Sequence, residues 1–215
     1  MTNSNLQAER VLCFIGYGDF SKQIHELFFL EVRRTVICDD VLISHSGEIY
    51  PFEAYKTMLN GDYAFVVGLG YHHLKLRKTI IDDLLFERQS LPTVVHASSV
   101  LASTSVLKEA VTVFPGCIID IRSVINAGSI LHNAVTVSHD AQIGSCCYLS
   151  PGVVLAGNVH IGDCTFIGAG AIIRDGVRIG SNARVAMGTV VTSDVEDNAS
   201  AIGNPMRITN RPLVL

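Results

Sequence analysis

The sequence predicts a two-part chain: an α/β domain over residues 1–92, then an all-β parallel β-helix over residues 93–215. Three observations predict it. The first half alternates strand and helix signals. The second half repeats an aliphatic residue every six positions. Hydrophobic residues make up 48% of the 215 and charged residues only 17%, which suits a well-buried protein and not a disordered one.

In the first half, Val11-Leu12-Cys13-Phe14-Ile15 is a short apolar run closed by Gly16 and reads as a buried strand. Phe20 to Val32 carries Phe20, Ile24, Leu27 and Phe28 at helical spacing. Thr35 to Cys38 reads as a second strand closed by Asp39-Asp40, and Tyr63 to Val67 as a third closed by Gly68-Leu69-Gly70. His73 to Arg88 reads as a second helix, with Leu74, Ile81, Leu84 and Leu85 on one side. This order makes a small parallel sheet with helices against it. The loops at Gly16-Tyr17-Gly18, Asp39-Asp40 and Gly68-Leu69-Gly70 then fall at carboxyl ends of strands, where such sheets bind ligands. Gly16, Gly18, Gly68 and Gly70 would let backbone approach a diphosphate, and Asp39 and Asp40 would accept hydrogen bonds from a base or ribose. The glycines equally suit plain turns.

In the second half, Val113, Ile119, Ile125, Leu131, Val137, Ile143, Leu149, Leu155, Ile161, Ile167, Ile173, Ile179, Val185 and Val191 follow one another at steps of six. The frame extends back to Leu107, Leu101 and Val95, but Val94, Val100 and Val106 fit the first coil equally well. Two positions earlier the residue is small or β-branched, as at Ser123, Ser129, Ala141, Cys147, Thr165, Ala171, Ala183 and Thr189. Each hexapeptide is one strand and one turn, and three make a coil of about eighteen residues, so residues eighteen apart share a column about 4.8 Å apart.

This map places His139 two residues after an inward aliphatic, at a corner facing outward. A neutral imidazole there would take a proton from an acceptor, with the adjacent Asp140 orienting it; taken alone, the dipeptide equally reads as a solvated surface pair. Eighteen residues on is Gly157, whose N–H suits a developing oxyanion or whose lack of side chain permits a tight corner. Cys146 and Cys164 share another column; in a reducing compartment stacked free thiols are expected.

The formal net charge of −4 argues against nucleic acid as a partner. No apolar run approaches the roughly 20 residues of a membrane span. Residues 1–10 are polar and lack the apolar core of a signal peptide, so a cytoplasmic protein is expected.

On the hexapeptide repeat, the α/β domain before it, the His139-Asp140 step and the late Gly203-Asn204-Pro205, the chain resembles the bacterial sugar acetyltransferase family from about Val11 to Ile208. That family includes the bacillosamine-pathway N-acetyltransferase and the sialic acid O-acetyltransferase. The resemblance implies a left-handed β-helix and a Rossmann-like domain that binds a nucleotide sugar. It further implies acetyl-CoA as cosubstrate, no metal, and a homotrimer with active sites between subunits. By the same resemblance His139 is the base, Gly157 meets the acetyl carbonyl, and coenzyme A passes Ala169 and Met187 towards Gly203 and Pro205 in the last coil. Surface polysaccharide synthesis, such as lipopolysaccharide, is the implied pathway.

Two positions depart from the family. Asp19-Phe20-Ser21-Lys22 replaces the usual small residue with His or Lys after the glycines, which leaves the nucleotide open. His132, followed by Asn133, stands where the family has Asn seven residues before the base. N-acetylation of a 4-amino-4,6-dideoxy sugar is the favoured reading, with O-acetylation of a hydroxyl as the alternative. Tyr148 is a further candidate at the acceptor. Two rivals stand beside it. One is a γ-carbonic-anhydrase-like metal enzyme using His132, His139 and His160, whose columns disagree. The other is a non-catalytic trimeric sugar-nucleotide-binding protein.

Overall fold

The computed structural model describes residues 11–30, 32, 34–40 and 48–210, so the polar residues 1–10 lie outside the described residues. The chain divides into two compact units, Met1–Val94 and Val95–Leu215.

The first unit holds a parallel sheet of β1 (Val11–Ile15), β2 (Thr35–Cys38), β3 (Glu48–Tyr50) and β4 (Tyr63–Val67), ordered β3-β2-β1-β4. Leu12 to Ile15 of the central β1 are fully buried. A strand covered on both faces needs an unbroken apolar run rather than alternation. Helix α1 (Asp19–Phe28) stops short of the expected Val32. It buries only Ser21 and Ile24, and the Phe29 N–H closes its last turn on the His25 carbonyl at 2.9 Å. Helix α2 (Leu74–Phe86), preceded by a 3-10 turn at Tyr71–His73, buries Leu74, Arg77, Ile80, Ile81 and Leu84 and leaves Leu85 half-buried. The edge strand β3 has only three residues, none fully buried, and therefore no periodic signal.

The second unit is a three-faced left-handed β-helix of hexapeptide repeats. Up to Val191 its strands are two residues long and pair in parallel with a shift of eighteen, as in Ile125 with Ile143, Leu131 with Leu149 and Val137 with Leu155. All the aliphatic residues of the frame from Val113 to Val191 lie in one buried core. Each such burial contributes about 1.5–3 kcal/mol. Val95, Leu101 and Leu107 pack against that core, and Val100 and Val106 are exposed, although Val94 is itself buried.

The small residues two positions earlier also point inward. Ser129 Oγ donates to the Gly144 carbonyl at 2.7 Å, and Thr165 Oγ1 to the Gly180 carbonyl at 2.7 Å. A buried hydroxyl so placed satisfies a corner carbonyl that would otherwise be left without a partner. Every sixth residue from Ala110 to Gly188 has a positive φ, from 53° at Cys146 to 74° at Gly116, whatever its type. For a non-glycine residue this conformation costs about 1–2 kcal/mol, and the surrounding coils impose it at Arg122, Asp140, Cys146 and Cys164. Ser200–Ile202 continues the stack, and Arg207–Thr209 folds back antiparallel on it. Among the described residues no helix is long and apolar enough to cross a membrane.

Candidate active site

The turn after Thr136–Val137 sets His139 at a corner with its side chain 47% exposed. The next residue, Asp140, occupies the left-handed position, φ 60°. That brings its carboxylate back on to the ring, with Asp140 Oδ2 2.8 Å from His139 Nδ1. A carboxylate only accepts, so Nδ1 carries the hydrogen and the neutral ring keeps its lone pair at Nε2.

Arg122 lies one coil earlier in the column of Asp140 and is also left-handed, φ 57°. Its Nε donates to Asp140 Oδ1 at 2.7 Å and its Nη2 to Oδ2 at 2.8 Å. First the guanidinium, then the imidazole, hold the Asp140 carboxyl below the usual carboxylate range. No short motif marks Arg122; only the eighteen-residue period connects it with Asp140.

Gly157 adjoins the other side of the ring. A Cβ there would lie 2.5 Å from His139 Cε1, 2.6 Å from Nε2 and 2.8 Å from Asp175 Oδ1. The positive φ of this corner belongs to Asn158, so Gly157 supplies space rather than turn geometry. The Asn158 N–H bonds the His139 carbonyl at 3.0 Å and keeps the coils together. The Gly157 N–H has no partner among the described residues. An unengaged donor beside a histidine lone pair suits a reaction that develops an oxyanion as a proton leaves.

Ala169 and Met187 form an exposed corner at the far side of the same face, with the Gly188 N–H on the Ala169 carbonyl at 2.8 Å. Val154, Ile172 and Val190 lie outward between the two corners, and Ile172 is exposed. Gly203 has φ 85° and bonds Thr189 Oγ1 at 3.0 Å, just before a cis Asn204–Pro205 peptide.

His132 stacks on Phe114, ring centroids 4.3 Å apart and planes 7° from parallel. Its Nδ1 accepts the Asn133 N–H at 3.0 Å, and burial pushes its proton affinity down. The ring is therefore neutral with its hydrogen on Nε2. Tyr148 is buried, 6.0 Å from His132 and stacked on Phe166, so it sits in a face ladder rather than at the His139 corner. His160 Nδ1 bonds the Asn158 carbonyl at 3.0 Å. Among the described residues no three His, Cys, Asp or Glu are grouped to hold a metal ion. Cys146 and Cys164 are not joined in a disulfide, and the Cys146 thiol donates to the Ala127 carbonyl at 3.7 Å.

In the first unit, the Tyr17 N–H donates to Asp39 Oδ2 at 2.7 Å, tying the Gly16-Tyr17-Gly18 loop to the end of β2. Gly16 has φ 79° and needs to be glycine for the turn. Gly68 does not: a Cβ there would meet the Gly16 carbonyl at 2.2 Å and Ser21 Oγ, so it serves close packing. Gly18 caps α1 with open space above it, and Gly70 precedes the turn at Tyr71. Asp40 faces elsewhere and accepts the Phe52 N–H at 2.8 Å. Buried Arg77 donates to the carbonyls of Val67 and Leu69 at the end of β4.

Residues 158–193 match the bacterial transferase hexapeptide family, six repeats. No curated protein matches the sequence. Among solved structures, PerB from Caulobacter crescentus, in complex with CoA and GDP-perosamine, is 28% identical with a TM-score of 0.85, covering 94% of this chain and 98% of that one. The acetyltransferase domain of PglB from Neisseria gonorrhoeae is 25% identical with a TM-score of 0.82, covering 93% and 99%. That domain is also known in complex with acetyl coenzyme A. With these relations and its hexapeptide repeats, the chain is an acyltransferase. Within that class the chain is similar to bacterial sugar N-acetyltransferases over both of its units.

Proposed function

We propose that the protein transfers an acetyl group from acetyl-CoA to the amine of a nucleotide-linked 4-amino-4,6-dideoxy sugar, with His139 as general base. The observation that carries this reading is the His139 ring: Nδ1–H is engaged by Asp140 and Nε2 faces the notch left by Gly157. The likeness to PerB, solved with CoA and GDP-perosamine, supports the substrate class.

The acceptor nitrogen forms a bond to the thioester carbon while His139 Nε2 takes its proton. The Gly157 N–H donates to the carbonyl oxygen as it becomes negative. When the intermediate collapses the C–S bond breaks, and the proton passes to the departing sulfur. The apolar strip at Val154, Ile172 and Val190 suits the pantetheine arm, between the His139 corner and the corner at Ala169 and Met187. The coenzyme continues towards Gly203 and Pro205. The nucleotide binds at the carboxyl edge of the Rossmann-like sheet, against Gly16, Gly18, Gly68, Gly70 and the loop that Asp39 holds. His132 faces the acceptor. The working form is a cytoplasmic homotrimer with sites between subunits, and the exposed Val100 and Ile118 supply apolar surface for that packing.

The test is thiol release from acetyl-CoA with a panel of UDP-, GDP- and dTDP-linked 4-amino-4,6-dideoxy sugars. One amino sugar is turned over, and His139→Ala lowers kcat by about 10²–10⁴-fold. Acetyl-CoA binding without turnover of any amino sugar overturns the N-acetyl reading; turnover of a hydroxyl acceptor would then establish O-acetylation.

A further inference from the structure

We propose that Arg122 is a positioning residue that keeps the His139 ring ready to accept a proton, by cancelling the charge of Asp140 without releasing its hydrogen bond. The role in acetyl transfer rests on the reading above; the effect on the ring does not.

A carboxylate beside an imidazole has two opposed effects. It fixes the ring's orientation and tautomer, and it also attracts a proton to the ring. An imidazolium cannot serve as base, so an unbalanced Asp140 would orient His139 and partly disable it. Arg122 separates the two effects. Its planar fork takes both Asp140 oxygens, at 2.7 and 2.8 Å, and Oδ2 still accepts His139 Nδ1–H at 2.8 Å. Orientation is kept while the field at the ring is reduced.

The backbone places this pair. Both residues occupy left-handed corner positions one coil apart. The Asp140 N–H is held by the Ile121 carbonyl and the Arg122 N–H by Thr104 Oγ1, each at 3.1 Å. An exposed ion pair is usually worth little, but bidentate geometry on fixed backbone is the exception. Two further charged groups lie at this cluster, Asp175 across the Gly157 notch on the Nε2 side and Asp120 beside Arg122. Both are acidic, so neither can stand in for the Arg122 charge.

The experiment follows the ring carbons of 13C-labelled histidine in the full chain against pH, with His139 identified by the signal missing from His139→Ala. Arg122→Gln moves the His139 titration midpoint up by about 0.5–1 pH unit, and Asp140→Asn moves it down. Arg122→Lys keeps the charge but loses the fork, and its midpoint stays between those of wild type and Arg122→Gln. With acceptor and acetyl-CoA, the acidic limb of kcat/KM shifts in the same directions. A midpoint that stays put or falls in folded Arg122→Gln overturns the proposal. The ring titration needs no substrate, so it reads Arg122 even if no sugar is acetylated.

Discussion

The two units use glycine for different ends. Gly68, at the end of β4, has no room for a side chain because backbone and Ser21 fill the space. Gly157, on the solenoid corner, has no room because the His139 ring fills it. In the sheet the missing Cβ serves packing, and its loss of chain entropy is offset by close contact. In the solenoid the coil closes without help from Gly157, since Asn158 takes the left-handed turn. A corner that any residue type can occupy leaves the choice of side chain open, as at Arg122, Asp140 and Asn158.

The same substitution separates these roles. Gly68→Ala forces a Cβ against backbone that cannot move independently of the Gly16 turn, and destabilises the first unit by about 1–3 kcal/mol in chemical denaturation. Little loss there would mean that the glycine loop is softer than its contacts suggest. Gly157→Ala pushes the His139 ring aside instead. It leaves the denaturation midpoint close to wild type and lowers kcat/KM by about 10²-fold, the effect of misplacing a catalytic group by about 1 Å. Equal losses of stability at both positions would erase the distinction.

How much of this was legible differs between the units for the same reason. Along the solenoid up to Val191 each strand's partners lie eighteen away, so the inward frame, the column of His139 and Gly157, and the outward corner could all be counted out. Arg122 was accessible by the same count, since it is eighteen before Asp140, but its residue type suggests neither a turn nor a base. The left-handed φ at Ala110, Arg122 and Cys146 is likewise set by coil closure against local preference. In the sheet no such count exists. The strands β1, β2 and β4 were readable as apolar runs, but β3 is too short and too exposed to show a period. The end of α1 at Phe28 depends on which side chains the sheet buries. The contrast between Asp39, which holds the glycine loop, and Asp40, which holds Phe52, is tertiary in origin; two adjacent aspartates look alike in sequence.

A smaller comparison lies within the solenoid, between two histidines seven residues apart with opposite ring polarity. His139 donates from Nδ1 to a carboxylate; His132 accepts at Nδ1 from the Asn133 N–H and lies flat on Phe114. Burial disfavours a charge on His132, lowering its proton affinity below the ordinary value of 6.5. In the unfolded chain the same ring titrates near that ordinary value. As pH falls below it, the unfolded state binds a proton that the folded ring refuses, and stability falls until the lowered folded value is reached. Above 6.5 this penalty is absent. His132→Phe keeps the stacked ring and removes the titration, while the Asn133 N–H, at an exposed residue, passes to water. The drop in Tm between pH 7.5 and 5.5 should therefore be smaller in the variant than in wild type, by about 1–3 °C. If His132→Phe falls as steeply as wild type, the acid sensitivity lies elsewhere and the His132 ring is protonated without cost in the fold.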